Sequence, residues 1–348
     1  MTQHWNAIKF LAVGLTGLVL FHPEEGCAAG FDNVDFSLRF PAALTRFSPY
    51  ADVAGVGGAS AASKWQSSAN PAAMAWEPMP TGSVVAISPQ FATIGFSSGT
   101  RLNVFTESLL ADAANAGRFM VSSAQVRSNN ATDRPGLDYG FGLDLGQIAW
   151  AKRFSDEWAG GFAFAYDRSH TNFGMGPVDV AHTGDETYSV KLGVHYRPAP
   201  DWHLGVVLEQ AVTDSTTDYF DVYGTGVGTV RTQDSTWQTT VRPGVAYEYA
   251  AGSTIYVDYQ FGRFSNETGT LTVNRVFAGI EQKIFDCVFL RGGSNADARG
   301  NVGWTAGIGI YPTSNISLDF GYQYSNFPEL EAEFGRSQSF TLSASISF

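Results

Sequence analysis

Charge is scarce in this chain. Only 16% of its 348 residues are Asp, Glu, Lys or Arg, and 33 acidic side chains against 21 basic ones leave a formal net charge of −12. An acidic chain with no concentrated basic patch excludes nucleic acid as a partner, because phosphate recognition needs clustered Lys and Arg. Cysteine is rarer still: Cys27 and Cys287 cannot build a disulfide framework. No His-x-x-x-His zinc pair and no Walker glycine loop occurs, and His170 beside Ser169 is a loop neighbour rather than part of a triad. No enzyme activity, metal or cofactor is therefore expected. Long apolar runs are also missing. The one candidate, Phe10 to Phe21, is too short for a bilayer-crossing helix, which needs about 20 residues.

That run does suit a signal peptide. Lys9 precedes it, and the small residues Cys27 and Ala29 allow cleavage before Gly30, so residues 1–29 read as a signal peptide and export is expected. Only Cys287 then remains in the mature chain. Lipid attachment at Cys27 is disfavoured, since Glu24-Glu25-Gly26 lacks the usual apolar residue three positions upstream.

What the chain has in abundance is glycine, 38 residues, and aromatics, 14%. With so little charge this suits an exterior that faces lipid through alternate apolar side chains, each strand's backbone being satisfied by its neighbours. Segments with period-two patterning recur at 82–97, 137–151, 157–168, 186–198, 202–213, 236–249, 253–263, 271–283, 286–293, 301–311, 315–326 and 337–348. In 337–348, Phe340, Leu342, Ala344, Ile346 and Phe348 share one face and Ser339, Thr341, Ser343, Ser345 and Ser347 the other. Leu137, Tyr139, Phe141, Leu143 and Leu145 alternate with Asp138, Asp144 and glycines, and the apolar set is expected to face lipid. Connections around Phe154, Asp201, Gly252, Asp286 and Ser314 are short; those at 98–136, 169–185, 214–235, 264–270, 294–300 and 327–336 are mostly longer and more polar. The expectation is an all-β transmembrane antiparallel barrel over 81–348 with about twelve strands. Fourteen remain open, because short strands can hide in 30–80 or 98–136. An edge strand in a soluble sandwich is the competing view, but nothing in a sandwich would order loop lengths this way.

By strand parity Asp138, Asp144, Lys191, His195, Arg197, Glu209, Arg242, Glu248, Asp258, Arg291 and Asp319 point inward. Paired charges that hold neighbouring elements together are the simplest role for them. Phe105, Leu109, Leu110, Ala113 and Phe119 fit one apolar side of a short helix in the longest loop, either capturing a ligand or packed over the barrel mouth.

A terminal Phe on an amphipathic strand resembles the closing strand of bacterial outer-membrane barrels, which the barrel assembly machinery recognises. A second resemblance lies upstream. Ala54-Gly55-Val56-Gly57-Gly58-Ala59-Ser60-Ala61-Ala62, followed by Asn70-Pro71-Ala72-Ala73, resembles the N-terminal signature of the FadL and toluene-transporter family, a small-residue run leading to an Asn-Pro-Ala-Gly turn before the first strand. Ala73 stands where the family usually has Gly, and the chain is short for a fourteen-stranded member. Small side chains at Gly55, Gly57 and Gly58 pack closely, Asn70 can bond its own backbone, and Pro71 fixes the following turn. Residues 30–80 are thus expected to form a luminal plug; Phe36, Phe40, Phe47, Trp65 and Met74 argue against a free arm.

The resemblance implies passive transport of hydrophobic or amphipathic small molecules, such as long-chain fatty acids or aromatic hydrocarbons, across the bacterial outer membrane. It also implies a monomer whose other partners are outer-membrane lipids. Candidate ligand contacts are Trp65, Met74, Phe105, Leu109 and Leu110, with Arg242 or Arg291 meeting a carboxylate if the ligand is an acid. An outer-membrane scaffold or secretion-associated barrel and a general porin are the alternatives.

Overall fold

The computed structural model describes residues 31, 34–63, 69–77, 85–129, 137–175, 178–220 and 229–348. Expectations for residues 1–29 and for Trp65 lie outside them. Fourteen antiparallel strands of the described residues close into a barrel in sequence order, β1 pairing with β14. They are β1 (Val85–Phe96), β2 (Arg101–Asp112), β3 (Arg118–Ser128), β4 (Leu137–Arg153), β5 (Trp158–Met175), β6 (Val178–Ala199), β7 (Trp202–Tyr219), β8 (Val230–Ala250), β9 (Ser253–Asn266), β10 (Gly269–Phe285), β11 (Val288–Asp297), β12 (Val302–Thr313), β13 (Ile316–Tyr324) and β14 (Ser337–Ser347). Closure leaves no unpaired edge, the condition for a sheet in lipid. No helix among the described residues is long and apolar enough to cross a membrane.

Two expectations about the wall are corrected. The strand number is fourteen rather than about twelve, because 98–136 contains β2 and β3 instead of a long loop with a helix. Phe105 and Leu109 therefore belong to a strand, paired with Phe91 and Ile87 of β1. Much of 169–185 and 214–235 is strand as well: β5 to β8 run for 18, 22, 18 and 21 residues. A membrane strand needs about 9–11, so these four continue well past the apolar band at one end, here the loop end. The opposite end carries the start of β1, the end of β14 and the tight connections 200–201, 251–252, 286–287 and 314–315, and is called the turn end.

The outer face is a lipid-facing surface. On β6, Val190, Leu192 and Val194 are exposed between Tyr188, which meets Tyr166 at 5.1 Å, and Tyr196, stacked on Trp158 at 4.1 Å. The two tyrosines are separated by about 26 Å of strand at ~3.3 Å per residue, close to the ~25 Å apolar band between aromatic girdles once tilt is considered. Leu318, Phe320, Phe340 and Leu342 continue that band on β13 and β14, while Asp319, Thr341 and Ser343 are buried on the inner face.

In β4 the expected faces are reversed. Phe141 and Leu143 are buried inside, and Asp144 points outward to pair with Arg127 at 2.6 Å. Beyond the band the outer face meets water and the inner face meets other apolar groups, so hydrophobicity changes sides along a single strand.

Candidate functional site: the inner wall and its N-terminal lining

The described N-terminal residues form helix α1 (Phe36–Leu44), short helix α2 (Ala51–Gly55) and a 3-10 helix (Pro71–Trp76). Asp35 caps α1, its carboxylate accepting from Ser37 N at 2.9 Å. From α2 onward the chain travels around the inside of the wall against the strand order. Ala51 and Ala54 lie on Gly321 of β13, Gly55 on Gly307 of β12, Val56 and Gly57 on Gly293 of β11 and Gly279 of β10, Ala61 on Gly205 of β7, and Asn70 and Pro71 on Gly193 of β6 and Gly161 of β5. These wall glycines explain how backbone lies directly on backbone. A Cβ added at Gly293 would stand 2.5 Å from Gly57 N, and one at Gly161 would stand 2.9 Å from Ala72 N. Gly57 and Gly58 themselves take left-handed φ values of 75° and 88°, which only glycine adopts without strain.

Polar contacts fix the route. Asn70 accepts from Ala72 N at 3.0 Å and donates to the carbonyls of Ala61 and Val194, each at 2.9 Å, so one amide joins the turn, the preceding loop and β6. Pro71 occupies the first turn of the 3-10 helix, where its missing N–H is harmless. Ala73 fits in that helix, donating to Asn70 O at 3.0 Å without a left-handed backbone. Asp258 of β9 accepts from Ser60 N (2.7 Å), Ala61 N (2.8 Å) and Arg242 Nε (2.9 Å), and Arg242 also donates to Gly58 O. Thr305 accepts from Gly57 N at 2.8 Å.

Buried charges complete the fastening. Glu329, from the β13–β14 connection, receives Arg46 at 3.0 Å and Arg275 at 2.7 Å, and Arg46 reaches Asp297 at 2.8 Å. Burial pushes the Glu329 carboxyl up, but the Arg275 and Arg46 charges outweigh it and hold it below the usual carboxylate range. Arg291 pairs with Glu281 at 2.7 Å and Asp319 at 2.6 Å. Arg242 and Arg291, expected as possible carboxylate contacts, thus stand against the protein's own carboxylates.

Among the described residues four buried apolar clusters lie inside the wall, and two of them flank β1 and β2. Toward the loop end, Ile94, Phe96, Leu102, Val104, Phe141 and Leu143 pack with Phe327, Leu330 and Phe334 and with Phe36 and Phe40 of α1; Phe40 meets Phe141 at 5.0 Å. Toward the turn end, Met74, Ala72 and Ala75 pack with Ala86, Leu110, Met120 and Ala149. Met74 and Leu110 are therefore brought together inside. Phe105 and Leu109 instead face outward, Phe105 against Phe91 at 5.0 Å. Near the same end Trp76 lies under Arg153 (5.2 Å) and Arg197 (5.8 Å) and edge-on to buried His195 (5.9 Å).

Gly95-Phe96-Ser97-Ser98-Gly99 fits the G-x-S-x-G spacing, but it spans the end of β1 and its turn into β2, and Ser97 Oγ accepts from Arg336 N at 3.1 Å. A nucleophile elbow is a strand-to-helix turn, so the match is accidental. Among the described residues no three His, Cys, Asp or Glu side chains converge as metal ligands.

No protein-family model and no curated protein matches this sequence. Solved structures do match the fold. The Pseudomonas putida toluene transporter TodX superposes with a TM-score of 0.55 at 11% identity, covering 86% of this chain and 98% of that one. The Ralstonia pickettii toluene transporter TbuX gives 0.55 at 12% identity over 86% and 97%. A Pseudomonas aeruginosa FadL homologue gives 0.56 at 14% identity over 84% and 97%. The chain therefore has the fold of the FadL-type outer-membrane channels, shared along nearly the whole length of those proteins.

Proposed function

We propose that the protein is a passive outer-membrane channel for hydrophobic or amphipathic small molecules, with fatty acids and aromatic hydrocarbons as the broad substrate classes. The observation that carries this reading is the inner wall. A general porin lines its channel with polar side chains and water, whereas here β1, β2 and β4 turn Ile94, Phe96, Leu102, Val104 and Phe141 inward. TodX and TbuX are toluene transporters, and toluene belongs to this class.

In this reading the N-terminal lining is the plug, residues 1–29 are the export signal, the turn end faces the periplasm, and the barrel machinery inserts a monomer among outer-membrane lipids. Met74 and Leu110 are the proposed luminal contacts, joined by Trp65. Phe105 and Leu109 would meet a ligand only after it has left the lumen, and Arg242 and Arg291 serve as fasteners.

The test is solute entry into vesicles carrying the folded full-length protein, compared with protein-free vesicles, using radiolabelled fatty acid, toluene and a sugar. Faster entry of the hydrophobic solutes alone supports the channel. Equal entry with and without protein moves the reading to a scaffold, and entry of the sugar alone moves it to a porin.

A further inference from the structure

An open recess of about 620 Å³ lies at the loop end of β7, β8 and β9, a size that suits a small ligand. A step in the wall creates it. β8 keeps β7 beside it as far as Val230 opposite Tyr219, but pairs with β9 only as far as Trp237 opposite Ser265. Beyond that pair one edge of β8 has no neighbouring strand among the described residues, and the β9–β10 turn forms a floor. Asp214 and Thr216 fall on the face of β7 that carries the exposed Val206 and Leu208, and Gln233 and Ser235 on the face of β8 that carries the exposed Trp237. The recess therefore opens on the outside of the wall, not into the lumen.

Its depth follows from the girdles. On the outer face of β8, Tyr247 meets Trp202 at 4.6 Å near the turn end. Trp237 is about 33 Å of strand away at ~3.3 Å per residue, or about 25 Å along the membrane normal at a tilt of about 40°. Trp237 thus stands at the opposite edge of the apolar band, and the recess above it lies level with lipid headgroups rather than tails. A girdle position accounts for the ring but not for the polar recess.

Internal contacts hold the recess in shape. Ser235 Oγ donates to Asp214 at 2.6 Å, and Asn266 Nδ2 donates to Asp234 at 2.9 Å while its Oδ1 accepts from Thr268 N and Gly269 N. The side chains of Thr216, Gln233 and Glu267 make no hydrogen bond among the described residues and are available. Among the described residues no Lys or Arg lines the space. Arg231 is held by Asp218 at 2.7 Å, and Arg263 stands one step deeper, opposite Thr239.

This donor and acceptor set is selective. Carboxylates only accept hydrogen bonds, whereas amides and hydroxyls both give and accept, and the negative face of an indole attracts polarised C–H groups. A phosphate would find no cation here. A lone ammonium would use the carboxylates and the indole but leave Thr216 and Gln233 idle. A ring with hydroxyls at its rim and C–H groups on its face uses all of them.

We infer that the recess holds an uncharged pyranose, the headgroup of a glycolipid in the leaflet at the loop end. The C–H face of the sugar lies on Trp237, its hydroxyls donate to Asp214 and Glu267 and exchange hydrogen bonds with Gln233 and Thr216, and the lipid's acyl chains lie along the outer face of β7 and β8. The site stands outside the lumen and does not depend on the channel reading.

The experiment places the full-length folded protein in nanodiscs doped equally with three lipids of identical acyl chains: a glucosyl diacylglycerol, a phosphatidylglycerol and a trimethylammonium diacyl lipid. Native mass spectrometry of the released protein counts the lipids it retains. The expected result is one glucosyl lipid retained at least about tenfold over either charged lipid. In the double variant Trp237→Leu, Gln233→Ala that preference disappears; leucine keeps the band edge apolar, and the heat-modifiable band shift shows the barrel to be folded. Equal retention of the three, or preference for either charged lipid, overturns the inference. A glucosyl preference that survives in the folded double variant overturns it as well. Displacement of the glucosyl lipid by an equimolar amount of soluble methyl glucoside overturns the assignment to a lipid, because the sugar alone would then suffice.

Discussion

Gly205→Ala tests directly whether backbone seated on the wall holds the N-terminal lining. A methyl at this position would stand 2.5 Å from the Ala61 carbonyl carbon, closer still to its oxygen, and 3.0 Å from Ala62 Cα. Bringing that oxygen to ordinary van der Waals distance requires a retreat of well over 1 Å. The obstacle is backbone, not the end of a flexible side chain. Moving Ala61 that far stretches the Asn70 contact of 2.9 Å and the Ser60 and Ala61 contacts to Asp258 of 2.7 and 2.8 Å beyond useful hydrogen-bond length. One neutral bond at about 1 kcal/mol and two to a carboxylate at about 1.5–3 kcal/mol each are then lost. The lower chain entropy of Ala over Gly returns only about 0.5–1 kcal/mol. A local loss of roughly 3–6 kcal/mol raises amide exchange at Ser60 and Ala61 by two or more orders of magnitude, while the barrel ladder keeps its protection. The control is Gly146→Ala, where an added methyl meets nothing within 4 Å. If exchange over 57–63 in Gly205→Ala equals that in the control, wall glycines do not seat this segment and the argument is wrong.

Glu329→Gln leaves Arg46 and Arg275 facing a neutral amide and should destabilise the folded protein by about 3–5 kcal/mol, read as a lower unfolding temperature in detergent. Because the Glu329 carboxyl is held below its ordinary value, its stabilisation is fully present above the unfolded carboxylate pKa of about 4.3 and disappears as pH falls through the lower folded value. Melting curves at decreasing pH should show that loss in the parent and not in Glu329→Gln; identical acid profiles would count against it. Leu318→Arg puts a cation on the lipid face and should cost about 2–4 kcal/mol if it lies near the midplane, whereas a spin label there that is quenched by aqueous reagents rather than by lipid-dissolved oxygen would contradict the orientation. Deleting residues 30–75 should open a nonspecific conductance in planar bilayers, provided the heat-modifiable band shift shows a folded barrel; unchanged conductance would remove the plug proposal.

Most of the wall was legible because, within the membrane band, one face must be apolar and the other is free to be polar. β9, β13 and β14 obey this cleanly: Val257, Phe320 and Leu342 face out, and Asp258, Asp319 and Thr341 face in. β2 was not legible because both faces carry apolar residues. Leu102, Val104 and Leu110 pack inside while Phe105 and Leu109 face outward, so the period-two signal cancels and the four-residue spacing of Phe105 and Leu109 imitates a helix. β4 misled for a related reason, since its odd-numbered apolar residues continue inward past the band. The turn at Asn70 and Pro71 was readable from local chemistry alone. The seats were not: glycine inside a strand signals a close approach, but only the folded barrel reveals that Gly193 receives Asn70 and Pro71, or that Arg291 is committed to Glu281 and Asp319.

The path of the N-terminal chain from β13 round to β5 has a mechanical consequence. A segment held at one point swings like a hinged lid, and a single break releases it. This one is a hoop, attached strand after strand by glycine seats, by the Asn70 amide and by the Asp258 and Thr305 contacts. Releasing one attachment slackens an arc and leaves the neighbouring arcs taut. Opening should therefore be graded by sector, so that point variants yield a ladder of small conductance increments, with a full-bore state only after several attachments fail together.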